Sequence, residues 1–143
     1  NLGSSRNYFA TVYGKATTAQ YADLAENYQG DKAYNPGTVL MFGGTQEVTI
    51  ADADTTAVAG VVSTNPAHLM NADCDGQAVA LKGRVPCFVQ GPISKGDRVV
   101  NFRNGLGRKL DKTMYDPGCV VGHALESIDT DEVKVIEVVV GKY

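Results

Sequence analysis

Along this chain the spacing of apolar residues changes character near residue 34. Before it, residues 1–28 are small and polar, with Tyr8, Phe9, Val12, Tyr13, Tyr21, Leu24 and Tyr28 set among them at intervals. The segment has too few apolar neighbours of its own to bury these side chains. It therefore predicts a stalk or arm that packs against copies of itself. Within it, Tyr21, Leu24, Ala25 and Tyr28 fall at i, i+3, i+4 and i+7, with Thr17 or Thr18 as an N-cap and Gly30 as a stop. That spacing predicts a short helix over 17–28 with a narrow aromatic stripe.

After residue 34 the apolar runs are short and bounded by turn residues. Pro36-Gly37 leads into a strand over 38–42 that Gly43-Gly44 closes, and 47–50 alternates polar with apolar. A buried strand follows over 58–63, stopped by Asn65-Pro66, then a helical turn over 67–71 and a turn over 73–76. Residues 77–81 and 84–90 read as two strands on either side of Gly83. Strand 98–102 runs into the hairpin turn Asn104-Gly105-Leu106-Gly107, and strands over 120–127 and 133–140 close the chain. Many short strands at close spacing indicate an all-β barrel or sandwich.

A length of 143 residues suits one domain with room for an extension. The expected fold is therefore mainly β: a single β-barrel or sandwich-like head over 31–143, preceded by an extended or helical stalk-end segment over 1–30. The apolar share of 43% is ordinary for a globular chain. Net charge is −3, and the basic residues are scattered rather than gathered on one stretch, so no nucleic-acid partner is expected. No window approaches the roughly 20 apolar residues of a membrane-spanning helix, so no membrane insertion is expected. The opening lacks the basic and apolar regions of a signal peptide. Asn1 is not a translation start, so the chain reads as a fragment or a processed product. Cys74, Cys87 and Cys119 are odd in number and show no Cys-x-x-Cys, which argues against a disulfide framework or a zinc ribbon. Cys87 and Cys119 read as small apolar residues of buried strands.

Candidate chemistry is sparse. Asn71-x-Asp73-x-Asp75-Gly76 matches the first half of a calcium loop, but Lys82 stands at the twelfth position, where a bidentate acid is required. A plain Asx-type turn is the expected structure there. His68 and His123 have no carboxylate or thiol at metal-ligand spacing, so neither a metal nor any other cofactor is expected. Ser63 lies where a buried strand emerges into a Pro-terminated turn. It is either a candidate nucleophile or a hydroxyl that caps the turn. Asp23 and Glu26 stand one helical turn apart on the predicted helix. They are placed to share a proton, to form a solvated face, or to pair with cations of a neighbouring subunit. There is no phosphate loop, dinucleotide fingerprint or Gly-x-Ser-x-Gly elbow.

Several strings together carry a resemblance. The opening Asn1-Leu-Gly-Ser-Ser-Arg-Asn-Tyr-Phe-Ala-Thr-Val-Tyr13 resembles a unit that recurs in phage tail-fibre stalks. Thr18–Tyr28, Tyr34-x-Pro36-Gly37-Thr-Val39, Gly60-Val-Val-Ser63-x-x-Pro66 and Gly83-Arg-Val-Pro86 resemble C-terminal modules of long tail fibres from contractile-tailed phages. More distantly, Tyr21-Ala-Asp23 with Gly60-Val-Val-Ser63 is similar to the autocleaving chaperone domain of phage tailspikes and neck appendages. The first resemblance implies a structural virion protein made in the bacterial cytoplasm. It would be the head of a homotrimeric fibre, acting in trimerisation, capping and host attachment, and its partners would be copies of itself, other tail components and a host surface glycan or protein. Tyr8, Phe9, Val12, Tyr13, Tyr21, Leu24 and Tyr28 would then face partner chains. Exposed loops would carry attachment, with Arg103, Arg108, Lys109 and Tyr115 as receptor-binding candidates by residue type. The second resemblance implies a single-turnover endopeptidase acting in cis, with Ser63, Asp23 and Glu26 as the residues to test. A monomeric β-barrel binding domain is the remaining class.

Overall fold

One strand organises the molecule. The computed structural model describes residues 2–143; Asn1, the first residue of the expected stalk, lies outside them. The strands are β1 (Asp23–Tyr28), β2 (Val39–Phe42), β3 (Val48–Ile50), β4 (Val58–Val62), β5 (His68–Met70), β6 (Gln77–Gln90), β7 (Arg98–Asn101), β8 (Gly107–Lys109), β9 (Val120–Ala124) and β10 (Val133–Val140). The C-terminal half of β6 pairs with β10 on one edge and with β8 on the other. From β8 the ladder runs through β7 and β9 back to β10, which closes a five-strand barrel. The N-terminal half of β6 pairs instead with β1 and β4, and extends outward through β2 to β3 on one side and through β1 to β5 on the other. A closed barrel has no open edge, so the outer strands carry those that remain.

The sequence of β6 explains how one strand serves both sheets. Val85, Cys87 and Val89 alternate inward and are fully buried, while Pro86, Phe88 and Gln90 face out. Gly83 lies where the pairing changes hands, at φ +110, a region that a residue with a Cβ rarely adopts. Pro86 is tolerated inside a 14-residue strand because β8 does not reach it; β8 pairs only with Val89 and Gln90. The two stretches expected on either side of Gly83 are thus one continuous strand.

The main core joins the barrel interior (Val85, Val89, Val99, Ile136, Val138) to one face of the outer sheet (Val39, Val61, Ala80). A second cluster, Leu40, Val48, Val62 and Val79, fills the opposite face of the outer sheet under Tyr28, Tyr34 and Leu81. The β7–β8 hairpin turns through Asn104 and Gly105, both at positive φ, as the Asn-Gly pair predicts.

Two expected elements differ. The helix over 17–28 does not form. Residues 23–28 are β1, whose burial alternates with period two: Asp23, Ala25 and Asn27 are buried, and Leu24, Glu26 and Tyr28 are half-buried. Strands β5 and β6 satisfy its backbone from both edges, and that pairing overrides the local helical spacing. The sheet therefore begins at Asp23 rather than after residue 30. Likewise, the expected helical turn over 67–71 is β5, parallel to β1. Residues 2–22 carry no helix or strand and are exposed throughout.

Candidate functional site

Two places gather polar side chains. The first lies where β6 passes from one sheet to the other. Strand β4 pairs on one edge of β6 and β1 on the other, with β5 beyond β1, so residues 63–67 must cross the β6–β1 pair to connect β4 with β5. The crossing is anchored by Ser63 N–H donating to the Ala78 carbonyl (2.8 Å) and Ala67 N–H donating to the Asp23 carbonyl (2.7 Å). It brings Ser63 beside the Asp23 side chain. Asp23 is 6% exposed and Ser63 7%, yet among the described residues neither Asp23 Oδ2 nor Ser63 Oγ has a hydrogen-bond partner. Burial raises the Asp23 carboxyl above the usual carboxylate range, and the nearby Ser63 hydroxyl opposes that shift without forming a bond of full geometry. A carboxyl so placed holds its proton to higher pH than an exposed Asp does.

Asp23 opens onto a cleft of about 260 Å³ lined also by Gln20, Tyr21, Thr64, Arg84, Pro86 and Glu137. Glu137 faces Pro86 across the β6–β10 ladder, and its Oε2 is a third buried oxygen without a partner. Arg84 and Pro86 come from the Gly83-Arg-Val-Pro86 string, whereas nothing near Glu137 in sequence marks it; only the register of β10 against β6 carries it to this cleft. Glu26 does not belong to the group. In a strand, residues i and i+3 point to opposite faces, so the Asp23–Glu26 pair expected on a helix does not exist. The Glu26 carboxylate instead lies by Tyr28, holding its phenol up to about 12.

The expected interface residues divide into two sets. Tyr8, Phe9, Val12 and Tyr13 are 61–97% exposed on the arm, and Tyr21 is 46% exposed at the cleft. Leu24 pairs between Lys82 and His68 inside the sheet. Tyr28 packs on the second core cluster and meets the Phe42 ring edge-on at 5.5 Å. Those two are engaged by this chain itself.

The second place is the outer side of β7 and β8. Arg103 and Arg108 both lie 4.7 Å from the centre of the Phe102 ring, and Arg98 lies 5.2 Å from that of Tyr115. Lys109 pairs with Asp97 at 3.6 Å, so among the described residues it is the one of the four receptor-binding candidates held in an ion pair. Beside them a smaller cleft of about 170 Å³ runs between residues 53–56 and the 108–119 segment, with Asp54, Arg108, Asp111 and Asp116 on its walls. Asp111 and Asp116 cap short 3-10 turns through Thr113 N–H and Gly118 N–H, which commits one oxygen of each. Sequence order places these residues in one loop, but only the fold shows which arginine stacks on which ring.

The remaining candidates have structural roles. Residues 71–76 form a turn held by Asn27, whose amide donates to the Cys74 carbonyl (3.2 Å), while Asn71 donates back to the Asn27 carbonyl (3.0 Å). His123 lies in β9 with Nδ1 3.4 Å from the Gly96 carbonyl. The three cysteines are free. Cys87 is sealed in the barrel, where burial pushes its thiol up to about 12. Cys119 ends a 3-10 turn rather than lying in a strand. Among the described residues no group of three or more His, Cys, Asp or Glu is placed to hold a metal, and no helix is long and apolar enough to cross a membrane.

The fold defines a closed five-strand β-barrel sharing its longest strand with an outer sheet. Comparison with protein-family models and with curated proteins gives no match.

Proposed function

We propose that this chain is an assembly module: the head of a homo-oligomeric fibre, of the kind found at the C-terminal end of trimeric phage tail fibres, which joins and caps the fibre's chains and presents loops for host attachment. The observation that carries this reading is the arm. Leu2, Tyr8, Val12 and Tyr13 are 76–97% exposed on a segment with no secondary structure, attached to a barrel whose own core is complete without them. Large apolar side chains left together in water mark a surface that another chain covers. The likeness of the arm's sequence to fibre-stalk units supports three-fold assembly, and the arginine–aromatic stacks by Phe102 and Tyr115 suit attachment to a surface glycan. Light scattering tests it. The full chain is expected to have the molar mass of a trimer, and deletion of residues 1–22 is expected to reduce it to a monomer. The deletion must stop at residue 22, because Asp23 begins a core strand. A full chain that is monomeric at all concentrations overturns the reading.

A second reading rests on Asp23 and Ser63. A buried serine beside a buried carboxyl of raised pKa, the carboxyl lining a cleft with residues 20–22 of the same chain, suits one self-cleavage in cis. Ser63 Oγ would attack a backbone carbonyl of that stretch as its proton passes to Asp23. The departing amine would take the proton, and water would then hydrolyse the ester. Intact-mass measurement of the parent and of Ser63→Ala, incubated side by side, decides it. The expected result is an N-terminal fragment lost from the parent alone; equal masses overturn self-cleavage.

A further inference from the structure

The cleft at Asp23 and Glu137 continues onto an apolar strip. On the outer face of the barrel, Val135 stands opposite Phe88, Val133 opposite Gln90 and Glu137 opposite Pro86. Val133 and Val135 are 49% and 50% exposed, on the part of β10 that pairs with β6 but lies beyond the β9 pairing. The strip ends at the cleft wall formed by Asp23 and Glu137, each of which has one buried, unpartnered carboxyl oxygen among the described residues, Asp23 Oδ2 and Glu137 Oε2. The one cation on that wall, Arg84, forms no ion pair among the described residues. Such a surface suits an extended segment that offers apolar side chains along its length and a donor cation at one point.

The arm has that composition. Residues 1–22 contain no acid and two cations, Arg6 and Lys15, for a charge of +2, while all sixteen acids lie in residues 23–143 and leave that part at −5. The arm does not cover the strip on its own molecule, since its aromatics are exposed from Tyr8 to Tyr13. Fully extended, residues 2–21 reach up to about 70 Å, and β10 is only about 27 Å long, so an arm has ample length to cross to a neighbour.

We propose that the outer face of β6 and β10, with the Asp23–Glu137 cleft at its end, is the seat for the arm of a second copy of this chain. The inference rests on the assembly reading and gives it a docking site. The arm's aromatics lie on Phe88, Val133 and Val135, and Arg6 or Lys15 donates to the unpartnered oxygens of the cleft. Charge complementarity favours this occupant over an acidic partner, which Glu137 and Asp23 would repel.

Photocrosslinking of the full chain tests the seat. Val135 is replaced by p-benzoylphenylalanine, the protein is reassembled with an equal amount of 15N-labelled chain lacking the probe, and crosslinked peptides are mapped after irradiation. The expected product joins position 135 of the unlabelled chain to residues 2–22 of the labelled one. Glu137→Lys should cut its yield at least fivefold, and combining it with Arg6→Glu and Lys15→Glu should restore the yield. A second probe at Val133 guards against a local effect of the first. Crosslinks confined to one chain, or to another part of the neighbour, while light scattering still finds an oligomer, overturn the seat and leave the assembly reading standing. A monomer overturns both.

Discussion

Gly83→Ala is expected to lower stability by about 4 kcal/mol, the largest effect of any single methyl group considered. Two costs combine. At φ +110 an alanine is held in a sparsely populated backbone region, which costs about 1–3 kcal/mol. Its Cβ would also meet the Ala22 carbonyl oxygen and lie 2.9 Å from Asp23 Cα, so β1 must move away from β6, at about 1–3 kcal/mol more. Urea unfolding measures the sum. Gly43→Ala is the control: its φ is +143 but nothing lies within 4 Å of the added Cβ, so it bears the backbone cost alone. If the two variants have the same urea midpoint, the close approach of β1 to β6 is not what constrains Gly83. The displacement also reaches the cleft, because Asp23 pairs with Gly83. Gly83→Ala should therefore weaken the proposed assembly as well as folding, whereas Gly43→Ala should weaken folding alone.

Leu40→Ala should cost about 3 kcal/mol, in the range for leucine-to-alanine changes in a core. Leu40 is the largest fully buried side chain, at 0% exposure, and its cluster has only three other buried members, Val48, Val62 and Val79. Few neighbours are free to close over the space it leaves. The loss falls on the outer sheet, yet β6 is common to both sheets, so the chain should still unfold in one step with an earlier urea midpoint. A biphasic curve, with the barrel unfolding at the parent's midpoint, would show that β6 does not couple them.

Much of the strand order was legible in the sequence. Strands β2, β3, β4, β7, β9 and β10 fall where the apolar runs between Gly, Pro and Asn predict them, and the Asn104-Gly105 pair marks its hairpin. In each case the signal is local: a short run of apolar residues with turn residues close by. The misreadings share one cause. Tyr21, Leu24, Ala25 and Tyr28 have helical spacing, but residues 23–28 also alternate, and the choice between the periods was made by β5 and β6, which lie 40–60 residues away. His68–Met70 was drawn into a strand by the same pairing. Gly83 reads locally as an interruption between two strands, and only the pairing of both halves with neighbouring strands shows that one strand runs through it.

The sequence by itself determined that the fold is mainly β, since short apolar runs of alternating burial bounded by turn residues decide strand character locally. It also singled out Asp23 and Ser63 as candidates, each for its own local reason. The tertiary structure decided that the two lie together, that Glu26 does not join them, and that Glu137 does. The closure of the barrel is likewise tertiary, because pairing β10 with β6 joins residues some fifty apart in sequence and no local pattern specifies their register. Turn chemistry acts over a few residues, while a site assembled by strand register exists only once the whole ladder has formed.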